Sequence, residues 1–242
     1  MSDIRIETFA DKNGWADACA YTLATALNEG LSDRAQNGWC AFAGAGGSTP
    51  EPVYRRLAGL RSFEDWQHTF VTLVDERFVP ETSADSNAAL IKRTLLTDKA
   101  RQAVFLPLYR PAVTVDRAAA LAMWELNVEL EDRRLDAVLL GMGEDGHICS
   151  MFPGSPTLKT LLTTALEPAV FGVPPGRDGM APPQERISLN IPYLARARRV
   201  VLALTGAKKR AVFEAEATGD PAVQPIAALI ASGAPLEVLW TE

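Results

Sequence analysis

Short apolar runs alternate with longer amphipathic stretches along nearly the whole chain, and this alternation limits the fold more than any other feature. Apolar residues at helical spacing predict helices, and brief β-branched or continuous apolar runs predict strands. The predicted strands are residues 4–9, 39–43, 70–74, 104–106, 135–140, 187–191, 200–204 and 236–240. The predicted helices are residues 15–28, 51–60, 87–96, 118–130 and 208–217.

This order of strands and helices is typical of an α/β fold with a mostly parallel sheet and helices on both faces, in three Rossmann-like layers. Right-handed crossovers bring the carboxyl ends of the strands to one edge of the sheet. Open sheets of this kind bind ligands along that edge. No internal repeat or shift in composition divides the chain, so we expect residues 1–242 to form a single domain.

Composition and charge exclude several classes of protein. The 242 residues are 48% hydrophobic and 22% charged, which is typical of a globular protein and excludes a disordered chain. The net charge of −6 argues against nucleic acid as the main partner. No run approaches the roughly 18 apolar residues of a membrane span, and residues 1–15 lack the apolar segment of a signal peptide. We therefore expect a cytoplasmic protein without a membrane partner.

The three cysteines Cys19, Cys40 and Cys149 are odd in number and match neither a CxxC nor a zinc pattern. We expect them to be buried or half-buried thiols in a reducing compartment.

A glycine-rich turn, GAGGSTP at residues 44–50, follows the second predicted strand and precedes a helix. Pro50 suits the first helical position and Thr49 the N-cap. Gly46 and Gly47 allow close backbone approach, and the free N–H groups and positive dipole end of such a turn favour phosphate. The turn is neither a Walker A loop nor a GxGxxG motif, so a plain tight turn is the alternative.

Three consecutive charged residues, Asp75-Glu76-Arg77, directly follow the third predicted strand. The planar guanidinium of Arg77 is suited to gripping an anion. Asp75 either orients Arg77 or hydrogen-bonds a sugar hydroxyl, and solvation at the surface is the alternative for the whole run. Ser86 is a candidate cap for the next helix, and Asn87 is either a plain helix residue or a ligand contact.

The segment GMGEDGH at residues 141–147 carries the clearest chemical signal. Its glycines remove bulk around His147, and Asp145 is near enough in sequence to orient the imidazole ring. An imidazole titrates near pH 6.5, so it can act as a general base at neutral pH. A single histidine without a second His or Cys ligand is a poor transition-metal site, so we expect no metal. The other histidine, His68, lies in a polar stretch and is predicted to be exposed without a role.

Two further basic residues are candidate ligand contacts. Lys209 falls in or near the first turn of a predicted helix, where a cation opposes the helix dipole unless an anion is present. A solvated basic cluster is the alternative for Lys209, and a surface charge is the alternative for Arg186. Residues 167–184 are rich in Pro and Gly, which predicts a long surface loop, with a lid over a ligand site as the alternative.

No nucleophile motif competes with this set of residues. The chain has no GxSxG elbow and no cysteine with an identifiable His partner, and Ser48 as a nucleophile would lack a base. One base, one helix-terminus turn and two or three cations suit attack of water on, or proton removal from, a small phosphorylated ligand.

Taken together, these segments resemble the 6-phosphogluconolactonase family, which shares its fold with glucosamine-6-phosphate deaminase/isomerase. The GMGEDGH…FPG run is the most specific part of the resemblance. The matching stretches are AGGSTP at 45–50, DERFVP with SN between 75 and 87, LLGMGEDGHICSMFPGSP at 139–156, ERISLNIP at 185–192 and TGAKK at 205–209.

The resemblance implies hydrolysis of 6-phospho-D-glucono-1,5-lactone to 6-phospho-D-gluconate, a step of the oxidative pentose phosphate pathway, without a required cofactor. It implies that His147 activates water and that Asp145 supports His147. The residues that it implies around the phosphate and substrate are Gly46, Gly47, Ser48, Thr49, Asp75, Arg77, Asn87, Arg186 and Lys209. We expect a phosphorylated sugar lactone as the ligand and a monomer or homodimer.

The segment after His147 departs from the family pattern and also separates two alternatives. The family commonly reads Thr-Ala-Ser-Leu-Phe-Pro there, whereas this chain begins Ile148-Cys149 and so lacks a hydroxyl beside the base. We expect this loss to affect water placement or rate and to leave the reaction unchanged. In the deaminases a glutamate stands five residues after the histidine, and Phe152, which occupies that position, cannot transfer a proton. The remaining alternative, a sugar-phosphate sensor without activity, would not need His147.

Overall fold

The computed structural model describes residues 4–131, 133–176 and 182–242. Its strands are β1 Ile6–Phe9, β2 Cys40–Gly44, β3 Thr69–Leu73, β4 Asp75–Arg77, β5 Val104–Phe105, β6 Ala137–Leu140, β7 Val170–Val173, β8 Arg186–Leu189, β9 Arg199–Thr205 and β10 Leu236–Thr241. Its α-helices are α1 Lys12–Ser32, α2 Glu51–Ala58, α3 Asn87–Thr94, α4 Val115–Leu130, α5 Leu158–Leu162, α6 Ile191–Ala195, α7 Ala207–Glu216 and α8 Pro225–Ala231.

Seven strands form one sheet in the order β1-β10-β9-β6-β2-β3-β5, and every neighbouring pair is parallel. Right-handed crossovers place α1 to α3 on one face and α4 to α8 on the other, and the contacts of α1 with α2 and of α7 with α8 agree with this division. The predicted three-layer α/β fold is confirmed. The chain proceeds outward in one direction from β2 and in the other from β6, so the topological switch point lies between these two strands.

A second, antiparallel sheet of order β4-β8-β7 was not predicted. It begins one residue after β3, because Val74 bridges β3 and β4 and its carbonyl accepts from the N–H of Leu189 (3.0 Å). This sheet therefore lies at the carboxyl edge of the parallel sheet. Asp75 pairs with Ser188 and Arg77 with Arg186 in its register.

The predicted long loop at residues 167–184 is wrong for Val170–Val173, which form β7. The strand is short and contains Gly172, whose Cβ would come within 2.4 Å of the Asp116 carboxylate on α4. Glycine there permits close packing of β7 on α4, which the Pro- and Gly-rich composition conceals. Residues 177–181 lie outside the described ranges, so the lid alternative stays a prediction.

Capping side chains explain where several helices begin. Asp11 accepts from the N–H groups of Asn13 and Gly14 (both 2.9 Å) at the start of α1. Ser86 caps α3 as predicted, since its hydroxyl accepts from the N–H of Ala89 (3.2 Å).

The predicted helix at residues 51–60 begins at Glu51 as expected, but the cap predicted for it is wrong. The helix begins at Glu51 with Pro50 at the N-cap, and no side chain caps it. Pro50 itself has helical dihedral angles (φ −70°, ψ −22°), so Thr49 lies one position too early to cap and belongs to the preceding turn.

The central strands β2, β3 and β6 are buried along their whole length, as expected of a parallel sheet covered on both faces. The three cysteines are buried and free, as predicted. Burial raises the pKa of the Cys19 and Cys40 thiols to about 12. Within the described ranges, no helix combines the length and the apolar character that crossing a membrane requires.

Candidate active site

The loops that follow β2 and β6 lie side by side at the switch point of the parallel sheet. The N–H of Ala45 donates to the carbonyl of Leu139 (3.0 Å), which ties the first loop to the end of β6. A cavity of about 240 Å³ opens between them. Its lining includes Gly46, Gly47, Ser48, Thr49, Asp75, Arg77, Asn87, His147, Arg186 and Lys209. The structure therefore brings together all the predicted site residues at one cavity, with Asp145 behind His147.

The glycine-rich turn has its shape because of the residues beneath it. A Cβ on Gly46 would come within 1.9 Å of the side-chain oxygen of Asn87, so only glycine fits there. Gly47 adopts a φ of +92°, which glycine reaches without strain. The hydroxyl of the buried Tyr54 donates to the carbonyl of Ala45 (2.5 Å) and fixes the turn from the side of α2.

Asn87 connects Arg77 with Asp75. The Nη1 atom of Arg77 donates to Oδ1 of Asn87 (2.6 Å) and to the carbonyl of Asp85 (2.7 Å). The amide nitrogen of Asn87 donates to the carbonyl of Asp75 (2.9 Å). Asn87 is therefore more than a plain helix residue, since it orients the guanidinium of Arg77.

Asp75 forms no hydrogen bond or ion pair with Arg77 and reaches that guanidinium only through Asn87, whose amide nitrogen also donates to Oδ1 of Asp75 (3.3 Å). Its carboxylate accepts from the hydroxyl of Ser150 (2.6 Å) and lies 3.7 Å from Nη1 of Arg186. Asp75 is 5% exposed, which also excludes solvation at the surface as the explanation of the charged run. The antiparallel pairing of β4 with β8 places Asp75 and Arg186 close together.

Glu76, the middle residue of the charged run, holds the start of α3. It is fully buried, and its carboxylate accepts from the N–H groups of Asn87 and Ala88 (both 2.8 Å) and of Arg77 (2.7 Å). Burial raises the pKa of Glu76, and these three N–H groups oppose the rise. This role of Glu76 was not predicted from the sequence, where its position between two candidate ligand residues is the signal that points to it.

Arg77 and Arg186 present a concentration of positive charge at the cavity. The Nε atoms of both side chains are buried and have no hydrogen-bond partner among the described residues. Burial lowers the pKa of Arg186, Asp75 opposes that effect, and the charge of Arg77 lowers it further. Two partly unsatisfied guanidinium groups at one cavity favour an anionic ligand.

His147 is held by Asp145 as predicted. Nδ1 of His147 lies 2.5 Å from Oδ1 of Asp145. Burial would raise the pKa of Asp145, but the hydrogen bond and charge of His147 bring it below its ordinary value. Gly143 lies directly beneath the pair, because a Cβ there would be 2.2 Å from Nδ1 of His147. The glycine spacing of the turn thus lets the two side chains meet.

Phe152 lies between the imidazole of His147 and the guanidinium of Arg186. Its ring centroid is 4.3 Å from that of His147, and the guanidinium carbon of Arg186 lies 5.0 Å from it. Phe152 is 3% exposed. This packing was not predicted from the sequence, where Phe152 stands out only as the residue in place of a glutamate.

Lys209 is the third residue of α7 and faces the cavity, whereas its neighbour Lys208 pairs with Glu144 (2.5 Å) at the surface. Burial lowers the pKa of Lys209, and Glu144 opposes this effect. The solvated-cluster alternative thus describes Lys208 better than Lys209.

Residues 10–240 match the model of the family described as glucosamine-6-phosphate isomerases/6-phosphogluconolactonase. The chain belongs to this family. The resemblance seen in the sequence motifs is confirmed.

Within the family, the similar proteins are 6-phosphogluconolactonases. The chain is 39% identical to the 6-phosphogluconolactonase of Caulobacter vibrioides over 100% of this chain and 99% of that protein. It is 37% identical to that of Rhizobium meliloti over 96% of both chains. The crystal structure of a 6-phosphogluconolactonase from Shewanella baltica superposes with a TM-score of 0.87 at 30% identity, over 100% of this chain and 99% of that one.

The two departures from the family motif lie in different surroundings. Ile148 is fully buried in the core and does not line the cavity, whereas Cys149 does. Cys149 has a φ of +50°, and burial raises the pKa of its thiol well above the ordinary value. The residue at 148 therefore packs into the core here and directs no group at the cavity.

Proposed function

We propose that this chain hydrolyses 6-phospho-D-glucono-1,5-lactone to 6-phospho-D-gluconate, with His147 as the general base that activates water. The observation that carries the proposal is the 2.5 Å contact of His147 with Asp145 at the edge of a cavity lined by Arg77, Arg186 and Lys209. Membership of the family and the similarity to 6-phosphogluconolactonases support this reaction and substrate.

Binding of the phosphate falls to the glycine-rich turn and the cations. The turn at residues 46–49 lines the cavity, and Lys209 and Arg77 supply positive charge from two other elements. A turn that precedes a helix favours an anion through its free backbone N–H groups. An anchored phosphate fixes the lactone carbonyl relative to the base, so that binding energy from a remote group lowers the barrier.

The chemistry starts from the tautomer of His147. When Nδ1–H donates to Asp145, Nε2 is left as the acceptor. Nε2 takes a proton from water as the water oxygen bonds to C1 of the lactone. The tetrahedral oxyanion needs donors, which backbone N–H groups or a cation at the cavity supply. The C1–O bond of the ring then breaks, and the ring oxygen leaves with the proton from His147.

Deamination of glucosamine 6-phosphate is disfavoured by Phe152. Its ring fills the space between His147 and Arg186 and carries no group that can transfer a proton. The sensor alternative is disfavoured by the hydrogen bond between His147 and Asp145, because binding of an anion does not require an imidazole oriented by a carboxylate.

The test is the initial rate of hydrolysis of 6-phosphogluconolactone above an enzyme-free background, since the lactone also opens spontaneously. We expect a large excess over that background and a much lower kcat/KM for unphosphorylated glucono-1,5-lactone. Glucosamine 6-phosphate is assayed in parallel for release of ammonia. A rate equal to the background would reject the enzyme, and ammonia release would favour the deaminase.

A further inference from the structure

A buried carboxyl group lies beneath the turn that carries His147. Glu216 is the last residue of α7 and is 9% exposed. Its Oε2 atom is buried and has no hydrogen-bond partner among the residues that the structure describes. The mechanism proposed above does not use this group.

Glu216 packs directly on the backbone of Gly146. A Cβ on Gly146 would come within 1.8 Å of Oε1 of Glu216, so the carboxyl group occupies the space that a side chain would need. Gly146 has a φ of +85° and stands between Asp145 and His147, the two members of the hydrogen-bonded pair. A shift of this carboxyl group therefore moves the backbone on which both side chains are mounted.

The end of α7 is an unfavourable position for a buried glutamate. The carboxyl end of a helix carries partial negative charge, which disfavours an acidic side chain. Burial raises the pKa of Glu216, the backbone N–H of Ile226 opposes that rise, and the charge of Asp145 adds to it. Over Pro225–Ala231, α8 presents no charged side chain to balance the carboxylate. A residue that only filled space would be less costly as an apolar side chain.

We propose that Glu216 is a positioning residue for His147, its buried carboxyl group supporting the Gly143–His147 turn so that the imidazole keeps its place at the cavity. The inference rests on the proposed function, because it assigns His147 the role of base. We expect the shape and polarity of the carboxyl group to support the turn and its charge not to be needed, because a charge there is repelled by Asp145. Lys209 lies seven residues earlier on the same helix. Helix α7 therefore positions both a cation of the cavity and the carboxyl group that supports His147.

The experiment compares Glu216→Ala with Glu216→Gln, which keeps the shape of the side chain without a charge. Glu214→Gln is the matched control, because Glu214 is on the same helix and pairs with Arg210 at the surface (2.8 Å). We expect Glu216→Ala to lower kcat about 10- to 100-fold, the usual effect of an ångström-scale misplacement, with KM changed less than about twofold. Glu216→Gln should restore kcat to within a few-fold of the wild type, and Glu214→Gln should match the wild type.

A second measurement follows His147 without turnover. The imidazole ¹⁵N chemical shifts of His147, recorded against pH, should change in Glu216→Ala and keep the wild-type profile in Glu216→Gln. Should Glu216→Ala fail to fold, Glu216→Met takes its place, because it fills most of the volume without a polar group.

Three results would overturn the inference: unchanged kcat in Glu216→Ala or Glu216→Met, a rise in KM as large as the fall in kcat, or a Glu216→Gln variant as impaired as Glu216→Ala. The last would show that the negative charge itself is needed. In each of these cases the proposed function still holds if the wild type hydrolyses the lactone and His147→Ala does not. Failure of the inference about Glu216 can therefore be distinguished from failure of the proposed function.

Discussion

The molecule contains two histidine–aspartate pairs that are similar in detail and different in setting. Nδ1 of His147 lies 2.5 Å from Asp145, and Nδ1 of His68 lies 2.7 Å from Asp65. His68 precedes β3, at the amino end of the sheet, where its ring meets Trp39 edge-on at 5.4 Å. His147 follows β6, at the carboxyl end. The same pair of side chains thus occurs at both ends of one sheet.

The two pairs differ in the side chains that the fold places around them. At the carboxyl end, β4, β8 and α7 bring Arg77, Arg186 and Lys209 to the cavity beside His147. His68 instead meets an indole, and its side chain is 44% exposed. A carboxylate-oriented imidazole is thus a local feature of sequence, and the fold decides whether it faces a ligand.

The largest expected difference between the pairs is in turnover. His147→Ala should lower kcat for 6-phosphogluconolactone about 10²- to 10⁴-fold, the usual contribution of a general base. His68→Ala is the matched control and should retain wild-type turnover. Initial rates corrected for spontaneous hydrolysis measure both, and equal rates for the two variants would remove His147 from the mechanism.

Asp145→Asn should have the next largest effect. An amide at this position favours the wrong tautomer of His147, and we expect kcat to fall about 10- to 1000-fold, less than the roughly 10⁴-fold found for a fully buried triad aspartate. Asp65→Asn, which alters the other pair in the same way, should leave kcat unchanged. Wild-type kcat in Asp145→Asn would mean that Asp145 does not control the imidazole.

Neighbouring lysines on α7 extend the comparison to substrate binding. Lys209→Ala removes a cation of the cavity and should raise KM about 10- to 100-fold, the equivalent of one charge-assisted hydrogen bond. Lys208→Ala breaks only the surface pair with Glu144 and should change KM little. Steady-state kinetics on the phosphorylated lactone decide this, and equal KM values for the two variants would reject Lys209 as a phosphate contact.

The smallest expected effect is on stability as a function of pH. The pKa of Asp145 is lower in the folded protein than its ordinary value of 3.8, because of His147. Its stabilising contribution is therefore present above about pH 3.8 and is lost as the pH falls through the folded value. Urea unfolding of the wild type and Asp145→Asn should show a difference in free energy of unfolding that shrinks in this acid range. A difference that is constant with pH would contradict the assignment.

Local patterns predicted much of the fold. The strands of the parallel sheet, the cap at Ser86 and the contact of Asp145 with His147 depend on residues close in sequence, and all three are present. The cap predicted for α2 at Thr49 was wrong, because Pro50 takes the N-cap position and no side chain caps the helix.

Contacts between distant segments could not be predicted in the same way. Ser150 meets Asp75 across 75 positions of sequence, and Glu216 meets Gly146 across 70. Such contacts depend on the order of strands in the sheet and on the packing of α7, which no local period encodes. The short strands β4 and β7 were not predicted for a related reason. Their pairing with β8 defines them as strands, and their own composition does not.

Because of the two guanidinium groups of Arg77 and Arg186, we expect ligand binding to raise the thermal stability of the protein. The repulsion between their charges destabilises the folded state, and an anion that binds beside both groups reduces this repulsion. A ligand that binds only the native state stabilises it by about 2.7 kcal/mol at a hundred times its Kd. The melting temperature should therefore rank phosphate esters by how tightly they bind, including unreactive ones, while sugars without a phosphate leave it unchanged.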